Sequence, residues 1–302
     1  MTDQASTHSA PSRVASGRPG QVAGKVLVVI GAARGIGRAT AVAFAREGAA
    51  AVVGIDIDGP VSATIEVTPA TSDELDETGR LVSAEGAEWL ALSLDQRDPQ
   101  ALRDAAKSVS ERFGGIDVLF ANAGIQMFKP ILEMEDADWA DTIDVNLTGT
   151  FYAIRAFAPH MVQRGGGRII VTSSTQGRHG TKFGSAYSAS KWGLIGLVKS
   201  AALELGSHHI TVNAVIPGLI DTPLTRHRQR YLQAVDDLDS GKSTAELEAE
   251  AKAKLTAKTP LGLPWIEPED VAPVVVFLAS DAARMVTGAT YDVTGGDSAN
   301  NV

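Results

Sequence analysis

Residues 28–37 read VVIGAARGIG and lie between a β-branched run and a helical pattern. The glycines Gly31, Gly35 and Gly37 are spaced four and then two residues apart, so the stretch departs from the G-x-G-x-x-G pattern. Glycines in such a turn allow close backbone approach, and a helix that starts there directs free N–H groups at a pyrophosphate. The stretch therefore predicts a strand, a turn and a helix that together bind a dinucleotide.

The same alternation of strands and helices continues through most of the chain. Runs typical of strands occupy 25–30, 51–55, 88–94, 118–120, 168–172, 211–215 and 290–293, and helical patterns lie near 36–48, 71–85, 99–113, 136–164, 185–206 and 268–280. The strand runs are mostly continuous apolar runs, as expected for parallel strands covered by helices on both faces. They predict an α/β fold: a single doubly wound Rossmann-type domain with a central parallel sheet of about seven strands.

Three segments lie outside this alternation. Residues 1–22 are rich in Ser, Ala, Pro and Gly, so we predict a disordered tail before a domain that spans 23–302. The connection 58–73 is longer than an ordinary strand-to-helix loop. The segment 224–264 is predicted to be a substrate lid. For its polar helical part, 245–255, the alternative is a solvated surface helix.

Composition excludes several classes of function. The 302 residues include 27 Lys and Arg, 36 Asp and Glu and no Cys, which gives a net charge of −9. Without Cys there is no disulfide, thiol nucleophile or Cys-based metal site, and the six histidines show no metal-ligand spacing. The negative charge disfavours a nucleic-acid partner, and no apolar run approaches the roughly 20 residues that cross a bilayer. We predict a cytoplasmic protein with no metal, nucleic-acid or membrane partner.

Two residues near the glycine turn make opposite predictions about the nucleotide. Asp56 ends the second strand, 19 residues after Gly37, where a carboxylate accepts hydrogen bonds from ribose hydroxyls and repels a 2′-phosphate. Arg34, inside the turn, offers a cation to that phosphate. An acid at the strand end lies on the ribose itself, so we predict NAD, with NADP as the less favoured alternative.

Tyr187 and Lys191 are four residues apart in a helical pattern, which places both side chains on one helix face. A nearby ammonium group favours the phenolate and lowers the pKa of a tyrosine. Tyr187 could then take the proton of an alcohol while a hydride leaves for a nicotinamide, or donate a proton in the reverse reaction.

Taken together, these motifs resemble the short-chain dehydrogenase/reductase family over roughly residues 24–297. The resemblance is carried, in order and spacing, by Gly31-x-x-x-Gly35-x-Gly37, Asn122-Ala123-Gly124, Asn146, Ser174, Tyr187-x-x-x-Lys191 and Pro217-Gly218. It departs at Ile30, where the family usually has a threonine. The resemblance implies that Asn146, Ser174, Tyr187 and Lys191 are catalytic. Asn146 would hold a water that links the lysine to solvent, and Ser174, rather than the alternative Ser173, would hold the substrate oxygen.

The resemblance also implies a cofactor-binding set. Asp95 would neighbour the adenine, and Thr222 would hydrogen-bond the nicotinamide carboxamide. For Asn122 and Gly124 the alternative is a purely structural turn at a strand end. The predicted set is Gly31, Arg34, Gly35, Ile36, Gly37, Asp56, Ile57, Asp95, Gln96, Asn122, Ala123, Gly124, Tyr187, Lys191, Pro217, Gly218, Ile220 and Thr222.

The 58–73 connection and the stretches ANAGI (121–125), DVNLTG (144–149) and PWIEPED (264–270) resemble the carveol dehydrogenase group, often described as mycofactocin-coupled. That group oxidises cyclic or terpenoid secondary alcohols with tightly held NAD, which implies a hydrophobic alcohol or ketone as substrate here. The predicted substrate-binding residues are Gln126, Ser174, Gln176, His179, Phe183, Leu219 and Leu224.

Two other functions remain open at this stage. One is an NADPH-dependent ketoreductase of the acyl or polyketide type, and the other is a catalytically silent dinucleotide-binding protein. The family resemblance further implies a homotetramer with helices 99–113, 136–164 and the Tyr187 helix at its interfaces.

Overall fold

A computed structural model describes residues 20–62 and 67–299. The predicted tail, 1–22, lies outside the described residues except for its last three positions. Seven strands of the described chain form one sheet in the order β3-β2-β1-β4-β5-β6-β7, and all neighbouring strands are parallel. Their bounds are β1 Val26–Ile30, β2 Ala51–Asp56, β3 Glu88–Ser93, β4 Val118–Ala121, β5 Gly167–Thr172, β6 Ile210–Pro217 and β7 Thr290–Val293. The predicted seven-stranded α/β fold is confirmed.

Nine α-helices accompany these strands in the described parts of the chain. They are α1 Gly35–Arg46, α2 Ser72–Ala84, α3 Pro99–Phe113, α4 Asp136–Ile143, α5 Gly149–Arg164, α6 Ser185–Leu205, α7 Arg228–Val235, α8 Thr244–Lys258 and α9 Pro268–Ala279. The single helix predicted for 136–164 is divided by a π-helical turn at Asp144–Thr148. None of the helices described is long and apolar enough to cross a membrane.

The helices form one layer on each face of the sheet. Successive side chains of a strand point to opposite faces, so Val28 and Ile30 of β1 pack with α3, α5 and α6, while Leu27 and Val29 pack with α1, α2 and α9. β1 is fully buried because both of its faces are covered. Each face thus buries its own apolar cluster.

The strand order reverses between β1 and β4, which are neighbours although they are separated in sequence by β2 and β3. The loops that leave the carboxyl ends of these two strands diverge to opposite sides of the sheet. In open parallel sheets this divergence opens a crevice in which ligands bind.

The lid segment, 224–264, contains α7 and α8, which pack against each other. Leu247 and Ala251 of α8 are buried in an apolar cluster with Tyr231 of α7 and with Trp265. α8 begins with a capping box between Ser243 and Glu246. The alternative of a solvated helix therefore holds for only one face of α8, since its other face is packed.

Candidate active site

A cavity of about 530 Å³ lies at the carboxyl ends of the strands. Its walls come from the glycine turn after β1, from the loops that follow each of the other strands, and from the lid segment. The cavity therefore occupies the crevice that the reversal of strand order creates.

The glycine turn brings backbone groups close to this cavity. Gly31 has a φ of +85°, and a Cβ there would lie 2.8 Å from the Cα of Ala123. A Cβ on Gly37 would lie 1.8 Å from the carbonyl oxygen of Gly31. Arg34, which precedes α1, offers no side-chain acceptor to the helix, so the N–H groups of the first turn can bind an anion.

Asp56 lies where β2 ends and its carboxylate already binds two backbone groups. Oδ2 accepts a hydrogen bond from the Ala33 N–H and Oδ1 accepts one from the Ile57 N–H, both at 2.8 Å. Burial raises the pKa of Asp56, while these two hydrogen bonds and the nearby Arg34 lower it. The carboxylate faces the cavity at the position expected for a ribose.

The guanidinium group of Arg34 already binds other residues of the protein. Its Nη2 donates to the Thr68 carbonyl at 2.6 Å, and its Nη1 lies 3.6 Å from a Glu74 carboxylate oxygen. The guanidinium group therefore links the glycine turn to the long connection after β2 and to α2. These contacts weaken the case for Arg34 as a ligand of a 2′-phosphate.

Asn122 connects the glycine turn to β5. Its amide donates to the Gly31 carbonyl at 3.2 Å and accepts from the Thr172 hydroxyl at 3.0 Å. Asp95 is held by Arg97, whose backbone N–H and Nε each donate to it at 2.8 Å. The predicted cofactor residues that line the cavity are Gly31, Arg34, Gly35, Ile36, Asp56, Ile57, Asp95, Gln96, Asn122, Ala123, Gly124, Tyr187, Lys191, Pro217, Gly218, Ile220 and Thr222. Gly37 is absent from this wall because it packs behind the turn.

Tyr187 and Lys191 both lie on the cavity-facing side of α6. The Lys191 Nζ is 5.4 Å from the centre of the Tyr187 ring and donates to the Thr172 carbonyl at 2.9 Å. Burial raises the pKa of Tyr187 to about 12, against the lowering effects of a hydrogen bond with Ser174 and of the charge on Arg230. Burial lowers the pKa of Lys191 to about 8. The pKa of Tyr187 is thus raised and not lowered as the sequence predicts, because burial favours the neutral form of the phenol. Burial favours the neutral form of Lys191 as well.

The two serines at the end of β5 differ in their partners. The Ser173 hydroxyl donates to the Lys191 carbonyl at 2.9 Å. The Ser174 hydroxyl forms a hydrogen bond with Tyr187 and accepts another from the Gln176 N–H at 3.2 Å. Because Ser173 is engaged with the backbone of α6, Ser174 is the hydroxyl available beside the tyrosine.

Asn146 lies behind the cavity wall, within the π-helical turn. Its amide nitrogen donates to the Ile125 carbonyl at 2.9 Å and to the Ser190 hydroxyl at 3.0 Å, and its oxygen accepts from the Ile125 N–H at 2.8 Å. Gly124 lies so close that a Cβ there would be 3.1 Å from the Asn146 oxygen and 3.5 Å from the Lys191 Nζ. Asn146 thus joins the loop after β4 to α6, next to the lysine.

Six of the predicted substrate-binding residues line the cavity: Gln126, Ser174, Gln176, His179, Leu219 and Leu224. Phe183 does not. It has a φ of +68° and lies at a separate shallow depression beside Lys182, whose ammonium group is 4.8 Å from the ring centre. Arg230 is not among the residues predicted from the sequence, and α7 brings it to the cavity wall. The apolar spacing of Tyr231, Leu232 and Val235 could have indicated that helix.

Comparison with known proteins matches residues 25–232 to the short chain dehydrogenase family model. The (−)-trans-carveol dehydrogenase of Rhodococcus erythropolis is 35% identical over 279 residues, which cover 91% of this chain and 98% of that protein. The carveol dehydrogenase of Mycobacterium avium, solved with NAD, superposes with a TM-score of 0.86 and 37% identity, covering 92% of this chain and 99% of that one. The NAD-bound structure of a short chain dehydrogenase of Mycobacterium paratuberculosis superposes with a TM-score of 0.81 and 35% identity. The match covers 93% of this chain and 100% of that one. The chain therefore belongs to the short chain dehydrogenase family.

Proposed function

We propose that the protein is an NAD-dependent oxidoreductase that interconverts a secondary alcohol and its ketone by hydride transfer. The observation that carries this proposal is the arrangement of Ser174, Tyr187 and Lys191 on one wall of a cavity whose other end is the glycine turn. Asp56 at the end of β2 favours NAD over NADP. The two NAD-bound structures that the chain resembles support the same nucleotide.

The residues present fit a bound dinucleotide, because the free N–H groups of α1 and the close approach at Gly31 suit a pyrophosphate. NAD, when bound, supplies the hydride acceptor. Ser174 would hold the substrate oxygen by its hydroxyl, and the Tyr187 Oη would take the alcohol proton. The positive charge of Lys191 stabilises the phenolate that this step creates.

In the reverse direction the Tyr187 Oη would donate the proton to the ketone oxygen. A tyrosine with a pKa near 12 is protonated at neutral pH, which suits this direction. Oxidation needs the phenolate, so we expect its rate to rise with pH. Asn146 would act as a positioning residue, because its three hydrogen bonds hold the loop at Ile125 against Ser190, the neighbour of Lys191 on α6.

For the substrate we propose a cyclic or terpenoid secondary alcohol with a hydrophobic body. Leu219 and Leu224 contribute apolar wall to the cavity, and the lid segment closes one side of it. Two of the relatives described above are named for carveol, a cyclic terpenoid alcohol. The lid role of 224–264 rests on the packing of α7 and α8 beside the cavity.

The test is to mix the purified protein with NAD and a panel of cyclic alcohols and to follow NADH absorbance. Tyr187→Phe should abolish turnover but keep NADH binding, whereas Tyr291→Phe, a matched change in β7, should leave both unchanged. Full activity of Tyr187→Phe would overturn the mechanism. A strong preference for NADPH would favour the ketoreductase alternative and overturn the role of Asp56. Nucleotide binding without turnover of any alcohol or ketone would favour a catalytically silent protein.

We also propose that the protein assembles as a homotetramer. Large apolar side chains of α5 and α6 are exposed in the single chain, among them Phe151 at 41% and Trp192 at 52%. Such side chains on two helices of the same sheet face suit a helix-paired interface. Size-exclusion chromatography with light scattering would measure the assembly, and a monomer at micromolar concentration would contradict it. A cytoplasmic location stays a prediction from the sequence.

A further inference from the structure

Arg230 places a positive charge in the wall of the substrate end of the cavity. It lies on α7, within the lid segment, and lines the same cavity as Ser174 and Tyr187. Its charge is close enough to Tyr187 to lower the pKa of that tyrosine. The guanidinium carbon is 5.4 Å from the centre of the Phe128 ring. The charge therefore lies in the same cavity as the reacting group.

The hydrogen bonds of Arg230 within the protein are incomplete. Its Nη1 donates to the side-chain oxygen of Gln233, a neutral group. Its Nε is buried and has no hydrogen-bond partner among the residues described. Arginine carries five N–H donors, and a donor that is buried without a partner costs free energy. This side chain thus retains donor capacity for a ligand.

Its guanidinium group also lacks a direct ion pair within the described part of the chain. Across residues 20–62 and 67–299, no carboxylate forms an ion pair with Arg230. Asp297, an acid whose charge acts on Arg230, is paired with Lys258 at 2.9 Å. Burial lowers the pKa of Arg230 to about 10, so it stays protonated at neutral pH. Arg230 is half-buried. A cation that is partly withdrawn from water and has no ion pair is costly, and a ligand anion would remove that cost.

We propose that Arg230 is a specificity-determining residue that binds a carboxylate of the substrate, so that the substrate is a hydroxy acid or keto acid with an otherwise apolar body. This rests on the proposed function, since the reacting oxygen would lie at Tyr187 and Ser174 while the carboxylate reaches the guanidinium group. Guanidinium–carboxylate hydrogen bonds are charge-assisted and about twice as strong as neutral ones. The same cavity also presents the Gln126 amide oxygen, which is buried and has no partner in the described chain.

A second role for Arg230 makes different predictions. If it acts only through Tyr187, by lowering the pKa of the phenol, its removal slows every substrate alike and moves the pH profile of oxidation upward. If it binds a substrate carboxylate, its removal raises KM for acidic substrates and leaves KM for neutral substrates nearly unchanged.

The experiment compares 3-hydroxycyclohexanecarboxylate with its methyl ester as substrates of the full-length protein with NAD. The wild type should use the acid with a kcat/KM at least about tenfold above that of the ester, as expected for one charge-assisted contact. Arg230→Gln should lower kcat/KM for the acid by the same factor of at least about tenfold, mostly through KM, and should remove the preference. Arg230→Lys, which keeps the charge, should restore part of it.

Arg228→Gln is the matched control. Arg228 lies on the same helix and donates to the Ser240 and Lys242 carbonyls, so its loss would loosen the lid without removing a cavity charge. It should affect acid and ester by the same factor. Unchanged NADH affinity of Arg230→Gln would show that the variant is folded. Calorimetry with cyclohexanecarboxylate and the NADH-bound protein should detect binding to the wild type and none to Arg230→Gln.

Equal use of acid and ester by the wild type, or an equal loss for both in Arg230→Gln, would overturn the inference while leaving the proposed function intact. If the wild type forms no NADH with any secondary alcohol, acidic or neutral, the proposed function itself fails, and the inference fails with it.

Discussion

Replacement of Lys191 by methionine should stabilise the cofactor-free protein at neutral pH and abolish turnover. Lys191 is 3% exposed, and burial lowers its pKa from 10.5 to about 8. A charged group whose pKa falls in this way opposes folding, because the unfolded chain holds the proton more tightly. Methionine has a similar length and carries no charge, so it removes that cost.

The size of the effect follows from the two pKa values. Proton linkage gives a cost of about 3.3 kcal/mol at pH 7 and about 0.8 kcal/mol at pH 10. Methionine also leaves the Thr172 carbonyl without its 2.9 Å donor, which costs about 1 kcal/mol. We therefore expect Lys191→Met to be about 2 kcal/mol more stable than the wild type at pH 7.

The pH dependence is the stronger test. Below about pH 8 both folded and unfolded chains hold the proton, so the cost in the wild type is constant. Between pH 8 and 10.5 the unfolded chain binds more protons, so the stability of the wild type rises with pH. The advantage of Lys191→Met should therefore shrink by about 2.5 kcal/mol from pH 7 to pH 10 and disappear.

Urea denaturation followed by circular dichroism, at equal protein concentration and without nucleotide, measures these differences. Lys199→Met is the matched control, since Lys199 is an exposed lysine on the same helix and should show little change. Two results would show that the charge of Lys191 does not oppose folding. One is a variant that is less stable than the wild type at pH 7, and the other is a stability difference that does not vary between pH 7 and pH 10.

Two further substitutions test the glycine turn and the lid. Gly37→Ala should abolish NAD binding and destabilise the fold, because its Cβ would lie 1.8 Å from the Gly31 carbonyl oxygen. Calorimetry measures the binding and thermal denaturation measures the stability. Normal NAD binding by this variant would contradict the close approach of the two glycines. Gly196→Ala on α6 meets nothing within 4 Å and should instead stabilise the protein by about 0.5–1 kcal/mol. Leu247→Ala removes a fully buried side chain that joins α8 to α7, at a local cost of about 2–4 kcal/mol. It should speed hydrogen exchange in 228–258 and raise the substrate KM with unchanged NAD affinity, and unaltered exchange would argue against a lid held by this cluster.

Most of the sheet could be predicted because its strands are continuous apolar runs. The ends shifted by one or two residues, as at β6, which extends to Pro217 instead of ending at Val215. The break in the predicted helix 136–164 could not be read from hydrophobic spacing, which continues across it. It depends on Asn146, whose hydrogen bonds reach Ile125 and Ser190, residues distant in sequence.

Some residues of the candidate site could likewise be predicted from the sequence, and others could not. Motif spacing predicted that Tyr187 and Lys191 share a helix face, and the family resemblance selected Ser174 over Ser173. The structure brings all three side chains to the cavity wall, because local sequence determines where a helix face or a strand end presents a side chain. The sequence prediction misplaced Phe183 at the substrate site. Phe183 lies between Ser174 and Tyr187 in sequence, but it has a positive φ and does not line the cavity. Arg230 was missed because a charged residue in a polar segment normally faces solvent, and only the packing of α7 against α8 turns it inward.

Lys191 and Arg230, two cations that line the cavity, are opposite in sign to the net charge of the protein. The chain carries a net charge of −9, so its long-range field would slow an anionic substrate rather than attract it. At the reacting end of the cavity Lys191 is buried and Arg230 is half-buried, whereas Asp56 is an acid at the end assigned to the ribose. Selection of an anion must therefore come from contacts within the cavity. Because buried contacts are screened by salt much less than exposed charges, a preference for acidic substrates should persist at high ionic strength.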